Sequence, residues 1–247
     1  MNEHILTLHN ISKSFSKKNV LSDLSLKVCS GDFIAITGAS GCGKSTLLNI
    51  IGLLETADQG MMNHFGMVNV KPFSTRAQKL LKHKIGYLFQ NYALLENKTI
   101  EQNLNLVFDW NVKKTLRQDV IRKALEQVGL DGQQTKKVCQ CSGGEQQRIA
   151  LARLLIKPCE LILADEPTGN LDAENKEIVF SILMNLCKTG KSIIMVTHDP
   201  NMAEYADKVV NLLDGRIVDI QMQKAREQKQ IPQNQPDQEK QGENQNA

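Results

Sequence analysis

The stretch FIAITGASGCGKST, residues 33–46, decides the fold of this chain. Its glycines and the Lys44-Ser45 pair match the phosphate-binding pattern G-x-x-x-x-G-K-[ST]. An apolar, β-prone run precedes the pattern and the apolar run 46–51 follows it, which predicts a strand, a loop and a buried helix. A chance glycine-rich turn is the alternative, and the strand–loop–helix context argues against it. We therefore predict a binding site for the phosphates of a nucleoside triphosphate.

Each residue type in this loop suits phosphate binding. Glycines let the backbone curl so that N–H groups point at phosphate oxygens, and the positive end of the helix dipole reinforces the attraction. We expect Lys44 to reach the β- and γ-phosphates and the Ser45 hydroxyl to ligate magnesium. The predicted nucleotide contacts are Gly38, Ala39, Ser40, Gly41, Cys42, Gly43, Lys44, Ser45 and Thr46.

Two adjacent carboxylates, Asp165 and Glu166, end a second apolar run at 161–164. Side chains alternate across a strand, so consecutive acids at its tip point in different directions and can take different tasks. Asp165 is predicted to hold magnesium, and Glu166 to polarise the attacking water as general base. Taken alone, the pair could equally be a solvated strand end.

A third motif, CSGGEQQR at residues 141–148, precedes these acids in the chain. Ser142 and Glu145 have the spacing of a capping box, which predicts a helix start. Gly143 and Gly144 leave backbone N–H groups open to an anion. In isolation, a well-capped helix would explain the motif.

Together these motifs resemble the nucleotide-binding subunit of ATP-binding cassette (ABC) transporters, from about Leu6 to Ile220. The resemblance implies that Ser142, Gly143 and Gly144 form the family signature, which contacts the γ-phosphate of an ATP held on the opposite subunit. It makes Asp165 the magnesium residue and Glu166 the catalytic base. ATP and Mg²⁺ are the cofactors that it implies.

Further site residues follow from the resemblance alone. His198 is similar to the switch histidine, Gln90 to the Q-loop glutamine that senses magnesium and communicates with a membrane partner, and residues 169–172 to the D-loop. Phe15 takes the place of the aromatic residue that stacks on adenine. The implied catalytic residues are Lys44, Gln90, Glu166 and His198, and the implied magnesium ligands are Ser45, Gln90 and Asp165.

Three positions depart from the family pattern. Cys141 stands where leucine is usual, Glu145 where glutamine is commonest, and Phe15 where tyrosine is usual. None of these changes removes a group that the chemistry needs. Glu145 adds negative charge near the predicted phosphate site, but a helix N-terminus favours an anion, so its effect on the signature stays open.

The implied fold class is α/β: a P-loop NTPase core with a parallel sheet, an N-terminal antiparallel β subdomain and a helical signature subdomain. The ATPase domain is expected to span 1–220, with the helical subdomain at about 91–150 and an amphipathic helix within 112–125. The Gln-rich segment 221–247 has too few apolar residues to offset its ordering entropy and is predicted to be a disordered tail.

The bulk properties limit the function further. A net charge of +3 is too small to indicate nucleic-acid binding. The sequence has neither a secretion signal nor a transmembrane stretch, so we expect a cytoplasmic protein, peripheral on the cytoplasmic face of the cell membrane. The six cysteines are expected to be free thiols. Cys42 is expected to differ in reactivity, because it lies in the glycine-rich loop beside Lys44 and a helix N-terminus, and we predict that alkylating reagents inhibit ATPase activity unless ATP is bound.

The resemblance also implies partners. Two copies would close head to tail on ATP, and an integral membrane permease would bind the helical subdomain. Partner contact and core packing are alternatives for the apolar residues of this region that are expected to be exposed: Tyr92, Leu94, Leu95, Leu104, Leu106, Phe108 and Trp110.

The segments LNIIGLL (48–54), FQNYALL (89–95) and GNLD (169–172) resemble the branch that serves lipoprotein release, macrolide export and bacteriocin export. A peptide, a bacteriocin or a lipophilic compound is therefore the expected export substrate. Two alternatives stay open. One is an ATPase that regulates a membrane-anchored signalling or cell-wall-hydrolase complex without transport, and the other is a soluble ABC ATPase that transports nothing.

Overall fold

The computed structural model of this chain describes residues 4–16, 18–169 and 171–223. The predicted tail lies outside the described residues from position 224 onward, and so does Asn170 of the predicted D-loop. The last strand ends at Met222, so it includes the first two residues, 221 and 222, of the predicted tail.

The described residues form two sheets and a set of helices. The strands are β1 (His4–Phe15), β2 (Lys18–Cys29), β3 (Phe33–Thr37), β4 (Gln59–His64), β5 (Met67–Val68), β6 (Ile85–Leu88), β7 (Leu161–Asp165), β8 (Ser192–Val196), β9 (Lys208–Leu213) and β10 (Arg216–Met222). The helices are α1 (Lys44–Ile51), α2 (Thr75–His83), α3 (Ile100–Asn105), α4 (Lys114–Gln127), α5 (Gly143–Ile156), α6 (Ala173–Lys188) and α7 (Pro200–Glu204).

The N-terminal sheet is antiparallel, in the order β2-β1-β4-β5. Strands β1 and β2 are long and form a hairpin in which Leu6 pairs with Val28 and Phe15 with Lys18. Leu6 and Leu8 are buried against the core, as the alternation of side chains along a strand requires. The hairpin therefore carries Phe15 at its exposed end.

The second sheet has the order β10-β9-β3-β8-β7-β6, and all neighbours pair in parallel except β10 with β9. Its central strands are almost wholly buried, because a parallel sheet is covered on both faces. Phe33 and Ala35 face one hydrophobic core, whereas Ile34 and Ile36 face the other. The predicted α/β architecture, with an antiparallel β subdomain beside a parallel core, is confirmed.

The parallel strands bring four sequence motifs to one edge of this sheet. The carboxyl ends of β3, β6, β7 and β8 lead respectively into the glycine-rich loop, Gln90, the Asp165-Glu166 pair and His198. The crevice outside the carboxyl ends of the strands is where open α/β sheets bind ligands. The topology therefore assembles a candidate site from segments far apart in the chain.

Helices α3, α4 and α5 pack against each other in the predicted helical region. The predicted helix at 112–125 is confirmed as α4. The prediction for Leu104 is wrong, because this side chain is fully buried in the core beneath α3. Leu95, Leu106 and Trp110 are exposed as expected. Partly buried side chains that pack on this core are Tyr92, Leu94 and Phe108.

Each helix within the described residues is too short or too polar to cross a bilayer.

Candidate active site

The loop between β3 and α1 has a backbone that depends on glycine. Gly38 and Gly43 have φ values of 145° and 105°, in the region that side chains rarely adopt. A Cβ atom at Gly38 would lie 2.1 Å from the carbonyl oxygen of Leu212, and one at Gly43 would lie 2.7 Å from that of Val20. The loop is thus pressed against β9 and β2, and its amides lead directly into the N-terminus of α1, the geometry of a phosphate-binding turn.

Lys44 lies across this loop. Its Nζ donates to the carbonyl oxygens of Gly38 and Ala39, both at 2.9 Å, and the residue is only 5 % exposed. A buried ammonium held by neutral carbonyls is poised to exchange one of them for an anionic oxygen, since hydrogen bonds between charged groups are stronger. The geometry therefore suits the predicted contact of Lys44 with phosphates.

The structure brings two predicted magnesium ligands into contact. The Ser45 hydroxyl donates to Oδ1 of Asp165 at 3.2 Å. Burial raises the pKa of the Asp165 carboxyl, and the neighbouring charge of Glu166 raises it further, while Ser45 and Lys44 oppose the shift. A hydroxyl and a partly buried carboxylate are oxygen ligands of the kind that Mg²⁺ prefers, so these residues fit the metal. Gln90 lines the same pocket as Asp165.

Glu166 contacts His198, with Oε1 of the carboxylate 2.6 Å from Nε2 of the imidazole. Glu166 follows β7 and His198 follows β8, and the Glu166 amide donates to the Val196 carbonyl at 3.0 Å. Glu166 has a φ of 46°, which is uncommon for a residue with a side chain and is found where the surrounding structure imposes it. The two residues line one pocket with Thr168, Gly169 and Thr197.

The SGG motif forms the N-terminus of α5. Ser142 Oγ accepts from the Glu145 amide at 3.2 Å, and Glu145 Oε2 accepts from the Ser142 amide at 2.8 Å, so the predicted capping box is confirmed. Ser142 and Gly143 are exposed, and a helix start leaves the amides of Gly143 and Gly144 without intrahelical partners. No hydrogen bond joins residues 142–144 to the loop 38–46 within the part of the chain that the structure describes. The two candidate anion sites are therefore separate within one molecule.

Lys136 forms an ion pair that no sequence motif indicates. Its Nζ lies 2.8 Å from Oε1 and 2.9 Å from Oε2 of Glu145. The Lys136 ammonium and, secondly, the Ser142 amide hold the pKa of the Glu145 carboxyl below its usual range. Glu145, which departs from the family pattern, is thus paired with a counter-charge.

Two side chains of α5 link the SGG helix to other site segments, and sequence analysis identified neither. Gln147 is 1 % exposed, and its Nε2 donates to the carbonyl of Pro167, directly after Glu166, at 2.8 Å. Arg153 donates to the carbonyls of Tyr92 and Ala93 at 2.7 and 2.6 Å. The available signal was a polar residue on the buried face of an apolar helix, which requires a specific partner.

Phe15 is partly exposed at the end of β1, with the ammonium of Lys13 5.0 Å from its ring centre. Glu55 and Asp58 hold that ammonium at 2.8 and 3.3 Å. Stacking of the ring on adenine stays a prediction.

Cys42 is buried within the glycine-rich loop, at 7 % exposure, and its Sγ lies 4.0 Å from Nζ of Lys44. All six cysteines are free thiols, as predicted. Because Cys42 is buried, its predicted reaction with alkylating reagents requires the loop to open.

Comparison with known sequences gives one consistent family. The family model described as ABC transporter matches residues 21–169. The ABC transporter ATP-binding protein YvrO of Bacillus subtilis is 41% identical over 219 residues, which span 87% of this chain and 96% of that protein. The macrolide export ATP-binding/permease protein MacB of Mannheimia succiniciproducens is 42% identical over 202 residues. That match covers 81% of this chain but only 31% of the MacB protein.

Comparison with solved structures agrees. The dimeric structure of the ATP-binding cassette MJ0796 bound to ADP and Pi matches with a TM-score of 0.83 and 30% identity, over 89% of this chain and 99% of that one. A nucleotide-free ATP-binding cassette from an ABC transporter matches with a TM-score of 0.77 over 90% of this chain and 92% of that one. Its identity of 23% makes it a likeness of fold alone.

Proposed function

This chain belongs to the ABC transporter ATP-binding family, and on that premise we propose that it hydrolyses Mg·ATP to drive a separate membrane permease. The observation that carries the proposal is the pairing of Glu166 with His198 beside the Ser45–Asp165 contact. This arrangement provides a base, a histidine and a cation site at neighbouring strand ends. Phosphoryl transfer to water requires little more than such positioning and charge stabilisation.

In this proposal each residue has a defined task. Lys44 and the amides of the glycine-rich loop hold the β- and γ-phosphates, and Glu166 orients a water molecule and accepts its proton as the oxygen attacks the γ-phosphorus. The bond between the γ-phosphorus and the bridging oxygen of the β-phosphate breaks, so ADP leaves with that bond's electron pair and phosphate is released. His198 fixes the Glu166 carboxylate before ATP binds and then donates Nε2–H to the γ-phosphate. Ser45, Asp165 and Gln90 would hold Mg²⁺, which when bound neutralises phosphate charge.

We propose further that the active unit is a homodimer that two ATP molecules hold together. The amides of Gly143 and Gly144 at the start of α5 and the exposed Ser142 suit an anion, and no hydrogen bond joins residues 142–144 to the loop 38–46 among the described residues. The similarity to a dimeric cassette with bound ADP and Pi supports the arrangement. Each ATP would lie between the loop of one copy and the SGG helix of the other.

The proposed partner is an integral membrane permease, which would place the chain at the cytoplasmic face of the membrane. Leu95, Leu106 and Trp110 are exposed in the helical region and offer apolar surface to such a partner. Relatives named as macrolide export ATP-binding/permease proteins support export of a lipophilic compound. A peptide or a bacteriocin as substrate rests on the resemblance of segments 48–54, 89–95 and 169–172 alone. No observation favours a regulatory role or a soluble ATPase without a membrane partner.

Detergent pull-down of a Glu166→Gln variant from native membranes with ATP, followed by mass spectrometry, tests the proposal. We expect a multi-spanning membrane protein in fixed ratio with two copies of this chain, and its loss in a Lys44→Ala control. Recovery of a soluble dimer alone would exclude the permease. Recovery of a hydrolase or a sensor kinase would replace transport with regulation.

A further inference from the structure

A carboxylate lies where the proposed mechanism brings in negative charge. Glu145 is in the first turn of α5, and its Oε2 accepts from the Ser142 amide at 2.8 Å. Its charge is therefore within one turn of the Gly143 and Gly144 amides that would bind the γ-phosphate. The helix dipole attracts an anion at this position, whereas a nearby carboxylate repels it, and the repulsion grows as water is excluded.

Lys136 opposes that repulsion directly. Its ammonium contacts both oxygens of Glu145, at 2.8 and 2.9 Å, and Oε1 of Gln133 at 3.5 Å. The side chains of Lys136 and Glu145 are 31% and 18% exposed, so salt screens this pair less than it screens a fully solvated one. The contact also raises the pKa of Lys136 and lowers that of Glu145, so both groups stay charged around neutral pH.

The backbone around Lys136 is fixed independently of this ion pair. The Lys136 carbonyl accepts from the Ile100 amide at 3.0 Å, and the Lys136 amide donates to Gln133 at 3.1 Å. Further along, Val138 and Cys139 donate to the carbonyls of Lys98 and Glu96. The segment 134–139 is thus tied to the segment 96–101, and it presents the ammonium to Glu145 from a defined position.

We propose that Lys136 is a positioning residue of the signature: it neutralises and holds Glu145, so that the γ-phosphate of an ATP on a second copy can reach Ser142, Gly143 and Gly144. The inference rests on the proposed function, because it concerns the ATP-dependent dimer. It explains how a signature with a carboxylate at this position accepts an anion. Lys136 acts through Glu145 and touches no nucleotide.

The test compares ATP-dependent dimerisation among variants of full-length protein that all carry Glu166→Gln, by analytical ultracentrifugation over a range of ATP concentrations. We expect Lys136→Met to raise the ATP concentration for half-dimerisation by about tenfold at low salt, and by less at high salt. Lys137→Met removes the same charge from the adjacent, exposed residue and is the matched control. Lys136→Arg retains the charge and should behave as the parent.

The decisive variant is the double change Lys136→Met with Glu145→Gln. Once the carboxylate is gone, the lysine has nothing to neutralise, so dimerisation should return to within about twofold of Glu145→Gln alone. Binding of a fluorescent ATP analogue to the monomer should be equal in all variants, which shows that the core is folded.

Dimerisation of Lys136→Met at the parent ATP concentration would overturn the inference. So would a double variant as defective as Lys136→Met, since Lys136 would then act independently of Glu145, either through the fold or through direct attraction of the phosphate. If the Glu166→Gln parent itself stayed monomeric with ATP, the proposed function would fail, and this inference with it.

Discussion

The imidazole of His198 holds the carboxylate of Glu166 at 2.6 Å, although the two residues leave the sheet from different strands. Because a carboxylate only accepts hydrogen bonds, His198 must donate Nε2–H to Glu166 in a contact this short. The pair joins the end of β7 to the end of β8, so the proposed base is held in place before any water is bound. That pre-organisation is what general-base catalysis needs.

The first prediction concerns this base. Glu166→Gln retains the shape and the hydrogen-bonding length of the side chain but cannot accept a proton. We expect ATP turnover to fall by about 10²–10⁴-fold, the usual contribution of a general base, while ATP binding is retained. Steady-state phosphate release and equilibrium binding of a fluorescent analogue measure the two quantities.

Glu126→Gln is the matched control, because Glu126 is an exposed glutamate on α4, outside the residues assigned to the site. Its turnover should equal that of the parent. Turnover of the Glu166→Gln variant at the parent rate would show that another group takes the proton from water.

The second prediction concerns Arg153, which links α5 to the turn after Gln90. Its guanidinium donates to the carbonyls of Tyr92 and Ala93, whose φ values of 62° and 47° are uncommon for residues with side chains. Arg153→Met removes both hydrogen bonds, each worth about 1.5–3 kcal/mol when one partner is charged. We therefore expect amide hydrogen exchange in segment 90–96 to accelerate by at least about tenfold.

Arg122→Met is the control, since Arg122 is exposed on α4. Arg153→Lys should give an intermediate result, because an ammonium lacks the planar fork that contacts two carbonyls at once. Unchanged exchange in segment 90–96 of Arg153→Met would mean that the turn is stable without the arginine.

Features that depend on neighbouring residues could be predicted from the sequence, whereas contacts between distant segments could not. The loop 38–46 and the Ser142 cap follow from local rules, because glycine conformation and capping act over a few residues. The partners of Lys136, Gln147 and Arg153 depend on segments that meet only in the folded chain. Local patterns carry no information about such contacts.

The wrong prediction for Leu104 has the same origin. An apolar residue in a short helix has the same sequence pattern whether its side chain is buried or exposed. The packing of α3 against α5, which the sequence does not indicate, buries Leu104. For Trp110, core packing and an interface were equal alternatives. The residue is 90% exposed, so it does not pack in the core.

The third prediction concerns the pH dependence of stability. His64 is fully buried, its Nε2 lies 2.8 Å from the Ile51 carbonyl at the end of α1, and its Nδ1 has no hydrogen-bond partner among the described residues. Burial lowers the pKa of His64 from its ordinary value of 6.5, and the Ile51 hydrogen bond opposes this only in part. Below pH 6.5, His64 therefore binds a proton in the unfolded chain, whereas in the folded chain it stays neutral until the pH is lower.

The contribution of His64 to the free energy of unfolding should be fully present above pH 6.5. Below that pH it should fall by up to about 1.4 kcal/mol per pH unit, until the pH reaches the pKa of His64 in the folded chain. Chemical denaturation of the parent and of His64→Gln at pH 7.5 and pH 5.5 measures the effect. The glutamine variant keeps a donor for Ile51 but cannot titrate, so its stability should drop less between the two values. An equal drop in both proteins would assign the pH dependence to other groups.

The fourth prediction concerns Cys42, whose thiol lies inside the glycine-rich loop between β3 and α1. Because the residue is 7 % exposed, a reagent such as N-ethylmaleimide can reach it only when the loop opens, so inactivation should be slower than modification of the exposed Cys139. A thioether in the loop would occupy space beside Lys44 and block the phosphates. Bound ATP should close the loop and protect it, so we expect inactivation to slow as ATP concentration rises through its dissociation constant.

Cys42→Ala should retain activity after treatment, whereas Cys139→Ser should be inactivated as fast as the parent; the reverse pattern would place the sensitive thiol outside the loop.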